Sequence, residues 1–137
     1  MRHLFVVFLA LISTCATAQK LPEPVLRSAS VPFYPPEARV TNVQGNVIVG
    51  FEVQSDGTVK NVHRVAGLPV LADAAVENVR SWRFEKPDDF YQAKWDCRAE
   101  FSYVLSKTET EYQKLGVTFD NYHKVEVTVS APITLVQ

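Results

Sequence analysis

From Trp95 to Leu105 the chain keeps one rhythm: Trp95, Cys97, Ala99, Phe101, Tyr103 and Leu105 are apolar, and Asp96, Arg98, Glu100 and Ser102 stand between them. Successive side chains of a strand point to opposite faces, so a period of two gathers the apolar groups on one face and the polar ones on the other. A helix would scatter the same residues around its circumference. A long strand with one dry face cannot stand alone; it needs neighbouring strands and a cover for that face.

The neighbours are legible upstream. Val47, Val49, Phe51 and Val53 alternate with Ile48, Gly50 and Glu52, the pattern of a second strand with one buried face. Ser55-Asp56-Gly57 follows as a hairpin turn, and Thr58 to Val65 returns as the antiparallel partner, with Val59, Val62 and Val65 among polar residues. Gly67 and Pro69 end that strand. Leu71, Ala75, Val79 and Trp82 then recur at helical spacing while Asp73, Glu77 and Arg80 occupy another face, and Trp82-Arg83-Phe84 closes this amphipathic helix. Pro87-Asp88-Asp89 reads as a loop before the Trp95 strand.

Nearer the N-terminus, Pro35 and Pro36 suit a helix start, where a missing N–H is no loss, and Glu37 suits the first turn. A short helix through Val40 is expected, with Phe33 and Tyr34 folded back as an apolar lid on the sheet or, as the alternative, exposed aromatics that recognise a peptide. The order is helix, strand, strand, helix, strand, and the simplest burial is a three-stranded antiparallel sheet covered by the second helix. Beyond a polar stretch, Lys107 to Lys114, two more candidate strands, Gly116–Phe119 and Lys124–Val129, join through Asp120-Asn121-Tyr122-His123 as a second hairpin. The fold class is α+β: a small antiparallel sheet carrying a C-terminal β-hairpin extension.

The first eighteen residues have a basic start at Arg2, an apolar run from Leu4 to Ile12 and a small-residue end at Ala16-Thr17-Ala18, the layout of a secretory signal peptide cleaved after Ala18. The apolar run falls well short of the roughly twenty residues that span a bilayer, so the mature chain is expected to hold no stable transmembrane span. Ile12-Ser13-Thr14-Cys15 loosely resembles a lipobox, which makes lipid anchoring at Cys15 the alternative. Residues 19–30, with Pro22 and Pro24, read as a short extended leader reaching about 40 Å at most. Residues 31–105 form the domain and 106–137 its extension.

Composition and chemistry narrow the function. Fourteen Lys and Arg against fifteen Asp and Glu leave a net charge of -1, so no broad field gathers nucleic acid. His63 and His123 fall in separate hairpins with no ligand spacing, so neither a metal site nor a cofactor is expected. Cys97 sits on the apolar face of its strand, where a thiol is usually inert, and a thiol-dependent enzyme is the remotest alternative. The chain has no Gly-rich phosphate loop and no G-x-S-x-G turn. It reads as non-catalytic.

Tyr34-Pro35-Pro36-Glu37-Ala38, Gly45-Asn46-Val47-Ile48-Val49, Ser55-Asp56-Gly57-Thr58-Val59 and Ala74-Ala75-Val76 running into Ser81-Trp82-Arg83-Phe84 occur in that order. Together they resemble the C-terminal domain of the TonB family of energy transducers, over about Val31 to Leu105. The resemblance implies a periplasmic module that adds an extended segment of an outer-membrane receptor to the edge of its sheet. It assigns that edge to the last strand of the domain, here Lys94, Trp95, Asp96, Cys97, Arg98, Ala99, Glu100 and Phe101. It assigns a second contact to the segment before the first helix, here Val31, Pro32 and Phe33, which is apolar where family members often carry a polar, glutamine-bearing segment.

Two departures modify this expectation. Family transducers keep a transmembrane helix and a long proline-rich linker, so a chain with a cleaved signal and a short leader would not pull from the inner membrane except through an anchored partner. The extension after Leu105 could itself pair with the edge, which would leave an autoinhibited binder, or a scaffold that seals its own sheet or homodimerises.

Overall fold

A computed structural model of the protein describes residues 23–85, 94–107 and 115–132. The signal segment, Cys15, the Pro87-Asp88-Asp89 loop and most of the 107–114 stretch lie outside the described residues. The order is β1 (Val25–Ser28), α1 (Pro36–Val40), β2 (Gly45–Gln54), β3 (Val59–Ala66), α2 (Pro69–Arg80), β4 (Arg83–Glu85), β5 (Lys94–Ser106), β6 (Gly116–Asp120) and β7 (Lys124–Ser130).

Five strands form one sheet in the order β3-β2-β5-β7-β6, antiparallel except between β5 and β7. Registry aligns the apolar positions across it: Val53 faces Trp95, Phe51 faces Cys97, Val49 faces Ala99, and Val47 faces Phe101, which in turn faces Val125. Every one of these side chains is buried. The expected helix-strand-strand-helix-strand unit is present. The extension joins the same sheet as a hairpin, and its β7 lies parallel to β5 rather than beside it as a separate layer.

The apolar face has two covers. α2 starts with Pro69 in its first turn and lays Leu71, Ala72, Ala75 and Val79 on β2 and β3. Trp82 and Phe84 cover the other half: Trp82 stacks on Phe101 with ring centroids 5.8 Å apart, and Phe84 packs edge-on against Tyr122 at 5.6 Å. The indole Nε1–H of Trp82 donates to Asn78 Oδ1 at 2.8 Å, so this large buried ring leaves no polar atom unmet.

Three expectations change. Trp82-Arg83-Phe84 does not continue the helix: α2 ends at Arg80, and Arg83–Glu85 forms β4. From Glu23 on, the leader is not free, because Val25–Ser28 pairs antiparallel with β4. Neither strand has an apolar period to reveal it; the pairing arises because Phe84 N–H is anchored to the carbonyl of Gly57 in the β2–β3 turn (2.9 Å). That turn needs glycine, since φ is +85° and a Cβ would meet the Phe84 carbonyl oxygen at 2.2 Å. Third, the lid is Tyr34 alone. Its ring is buried edge-on against Tyr103 and its hydroxyl donates to the Val43 carbonyl, while Phe33, one residue away on an extended backbone, points outward and is 59% exposed. The period of β3 is broken by two register shifts, one beside Asn61, itself at φ 52°, and one at Val65, which is left exposed.

Candidate peptide-binding edge

Strand β5 presents a row of backbone groups that the alternation of its side chains does not reveal. In a strand the N–H and C=O of one residue point to the same side, and those of the next to the opposite side. Glu100 N–H donates to the His123 carbonyl (2.9 Å) and Ser106 C=O accepts from Ala131 N–H (2.9 Å), so the even-numbered residues of β5 face away from β2. Leu105 N–H, an odd residue, points the other way and donates to Gln44 Oε1 at 2.7 Å. Lys94, Asp96 and Arg98 therefore turn their main-chain N–H and C=O outward.

This outer rim is half filled. β7 pairs with Glu100–Ser106 in parallel, from Glu100 opposite Lys124 to Ser106 opposite Ser130. The ladder stops at Arg98 because the next available donor, His123 N–H, is folded into the β6–β7 turn and donates to Asp120 C=O (3.0 Å). Among the described residues, no strand pairs with the outer side of Lys94–Ala99. Of the residues assigned to the edge from sequence, Lys94 to Ala99 lie on the open half, and Glu100 and Phe101 lie where β7 is already seated.

Odd residues anchor the open half and even residues charge it. Trp95, Cys97 and Ala99 are buried; Lys94, Asp96 and Arg98 are exposed. Lys94 Nζ pairs with Glu52 Oε1 at 3.1 Å across the strands, and Glu52 also accepts from Asn61 Nδ2 at 2.8 Å. These two hydrogen bonds, that of Lys94 first, hold the Glu52 carboxyl below the usual range. Both groups are solvated, so the pair orients side chains more than it stabilises the fold.

Burial pushes the Cys97 thiol up to about 11, outweighing the lowering effect of the hydrogen bond with the Tyr122 side chain. The thiolate is the reactive form, so at pH 8 the folded protein is expected to react with a small alkylating reagent about a hundredfold more slowly than the unfolded chain. Equal rates in native buffer and in denaturant would contradict this placement. His63 stands exposed on β3, its Nδ1 2.7 Å from the Asn61 carbonyl, while His123 Nε2 pairs with Glu23 at 3.0 Å on the far side of β2 and β5. Among the described residues no three His, Cys, Asp or Glu side chains gather as a metal site, and no helix is long and apolar enough to cross a membrane.

The segment before α1 occupies a different surface. Val31 is 78% exposed, Pro32 is buried, and Phe33 lines a groove with Pro36, Val70, Asp73 and Glu77 between α1 and α2. The structure does not bring Val31–Phe33 to the open half of β5. Local sequence also gave no sign of the contacts that fasten the extension. Leu26 N–H donates to Asn121 Oδ1 (2.9 Å), Tyr122 OH donates to Glu23 Oε2 (3.1 Å), and Arg39 donates to the Ser130 carbonyl (2.9 Å) and hydroxyl (3.0 Å).

The family model of the Gram-negative bacterial TonB protein C-terminal domain matches residues 30–105. The chain belongs to this family. Among solved structures, that of the Pseudomonas aeruginosa TonB C-terminal domain, determined in solution by NMR, superimposes with a TM-score of 0.53 at 20% identity, covering 63% of this chain and 90% of that one. A search of curated proteins gives no match. TonB C-terminal domains belong to the cell envelope and to its transport machinery, and they are binding and energy-transducing domains rather than catalysts. The TonB-type region ends at the close of β5, so the β6–β7 hairpin lies outside it.

Proposed function

We propose that this TonB-type domain is an exported, periplasmic, non-catalytic module that binds an extended segment of an outer-membrane receptor, or of another envelope protein, by adding it as a strand along Lys94–Ala99. The signal peptide is cleaved after Ala18 in this reading. The observation that supports it is the row of outward main-chain groups at Lys94, Asp96 and Arg98, beside which no other described strand lies. An unpaired edge supplies main-chain hydrogen bonds to an extended peptide of almost any sequence, and flanking side chains add selectivity. Val31 and Phe33, being exposed, remain available as a second contact.

The experiment is amide exchange by NMR, with and without synthetic N-terminal segments of outer-membrane receptors. The amides of Asp96 and Arg98 should exchange rapidly in the free protein and become protected on binding, while the exposed face of β3 is unchanged. Protection in the free monomer would instead support a second reading, a scaffold whose rim is sealed. The β5–β7 ladder favours that reading over the C-terminal half of the strand.

A further inference from the structure

We propose that the β6–β7 hairpin is a built-in competitor for the binding edge, an autoinhibitory element that opens as one unit so that a longer partner segment can run the whole length of β5. This rests on the strand-addition reading above. β7 uses the same row of even-numbered groups that Lys94–Ala99 presents, and a strand on the open half would meet the Asn121–His123 turn head-on.

Three features make the hairpin separable. Its two strands pair with each other, Gly116–Asp120 with Lys124–Thr128, so release from β5 breaks none of the hydrogen bonds of that ladder. The helix-strand-strand-helix-strand unit that matches the TonB family is complete without it. Beyond the β5–β7 ladder, side-chain contacts at the two ends fasten it: Glu23 and Leu26 grip Tyr122, His123 and Asn121 at the turn, and Arg39 grips Ser130 at the other end. Opening uncovers Tyr122, Val125 and Val127, all buried, so it is infrequent in the free protein. An incoming strand must cover the same ground with apolar side chains at alternate positions.

Strand β5 carries its own control. The amides of Glu100, Ser102 and Val104 are directed to β7, and those of Phe101 and Tyr103 to β2. In the full chain, the even amides should exchange at least about tenfold faster than the odd ones on the same strand. Arg39→Ala combined with Glu23→Ala should accelerate the even amides about tenfold further and leave the odd ones unchanged. A disulfide between Val104→Cys and Thr128→Cys, which face each other in the ladder, should abolish the difference.

The binding arm uses a labelled peptide with the sequence of residues 122–132. It should bind the double variant at least about tenfold more tightly than the native chain, and the disulfide-locked chain, which keeps only the open half, at least about tenfold more weakly than the double variant. Equal exchange of even and odd amides in both the native chain and the double variant would overturn the proposal, since the sheet would then open only as a whole. So would equal peptide binding by the locked and unlocked forms. The even–odd comparison needs no partner, so it can fail or succeed independently of binding at Lys94–Ala99.

Discussion

Replacing Trp82 with alanine should lower the unfolding free energy by about 3 to 5 kcal/mol. Trp82 is fully buried at the point where both covers of the sheet meet. Its ring stacks on Phe101 of β5, stands edge-on to Phe51 of β2 at 5.6 Å, and reaches Phe119 of β6 at 6.2 Å. Truncation removes all three contacts and leaves a cavity that rigid β2 and β5 cannot close. It also strips Asn78 Oδ1 of its donor, and Asn78 is itself buried, with its amide nitrogen committed to the Ser30 carbonyl at 2.9 Å.

Trp82→Phe separates the two effects, because it keeps much of the ring volume and removes only the N–H. Denaturant unfolding of both variants should therefore rank them native, phenylalanine, alanine. A loss below about 1 kcal/mol for Trp82→Ala would mean that the aromatic cluster is not the core it is taken to be.

The fold was legible wherever burial is one-sided. Trp95 to Leu105, Val47 to Val53 and Leu71 to Val79 each write a single dry face into the order of residues, and period alone places them. The hairpin at Asp56-Gly57 was legible for a local reason: Asp56 Oδ1 accepts from both Thr58 N–H (3.0 Å) and the Thr58 hydroxyl (2.7 Å). β1 and β4 were not legible. They are too short to show a period, and their pairing depends on where Gly57 and Trp82 place Phe84 in space.

The candidate site divides along the same line. Period identified β5, and family resemblance identified it as the edge strand. Whether its outer row of N–H and C=O groups meets solvent or another strand depends on the register of β7, which is a matter of long-range pairing. The two ends of the hairpin show why: Glu23 and Tyr122, or Arg39 and Ser130, are separated by about ninety residues or more, and nothing in their neighbours announces the contact. Phe33 illustrates the opposite error. An aromatic before a helix is ordinarily read as core, yet the extended backbone that buries Tyr34 turns its neighbour outward.

Strand addition at Lys94–Ala99 is tested by the affinity of Arg98→Pro for a receptor segment that protects the edge amides, compared with that of Arg98→Ala. The Arg98 side chain is exposed and its N–H faces away from β2, so proline removes one donor from the open rim and no hydrogen bond from the β2–β5 ladder. Arg98→Ala keeps the donor and should bind within about threefold of the native chain, whereas Arg98→Pro should lose at least about a hundredfold. The unfolding midpoint of the proline variant certifies that the sheet is intact. A folded Arg98→Pro protein that binds the segment as tightly as the native chain would contradict strand addition at this edge.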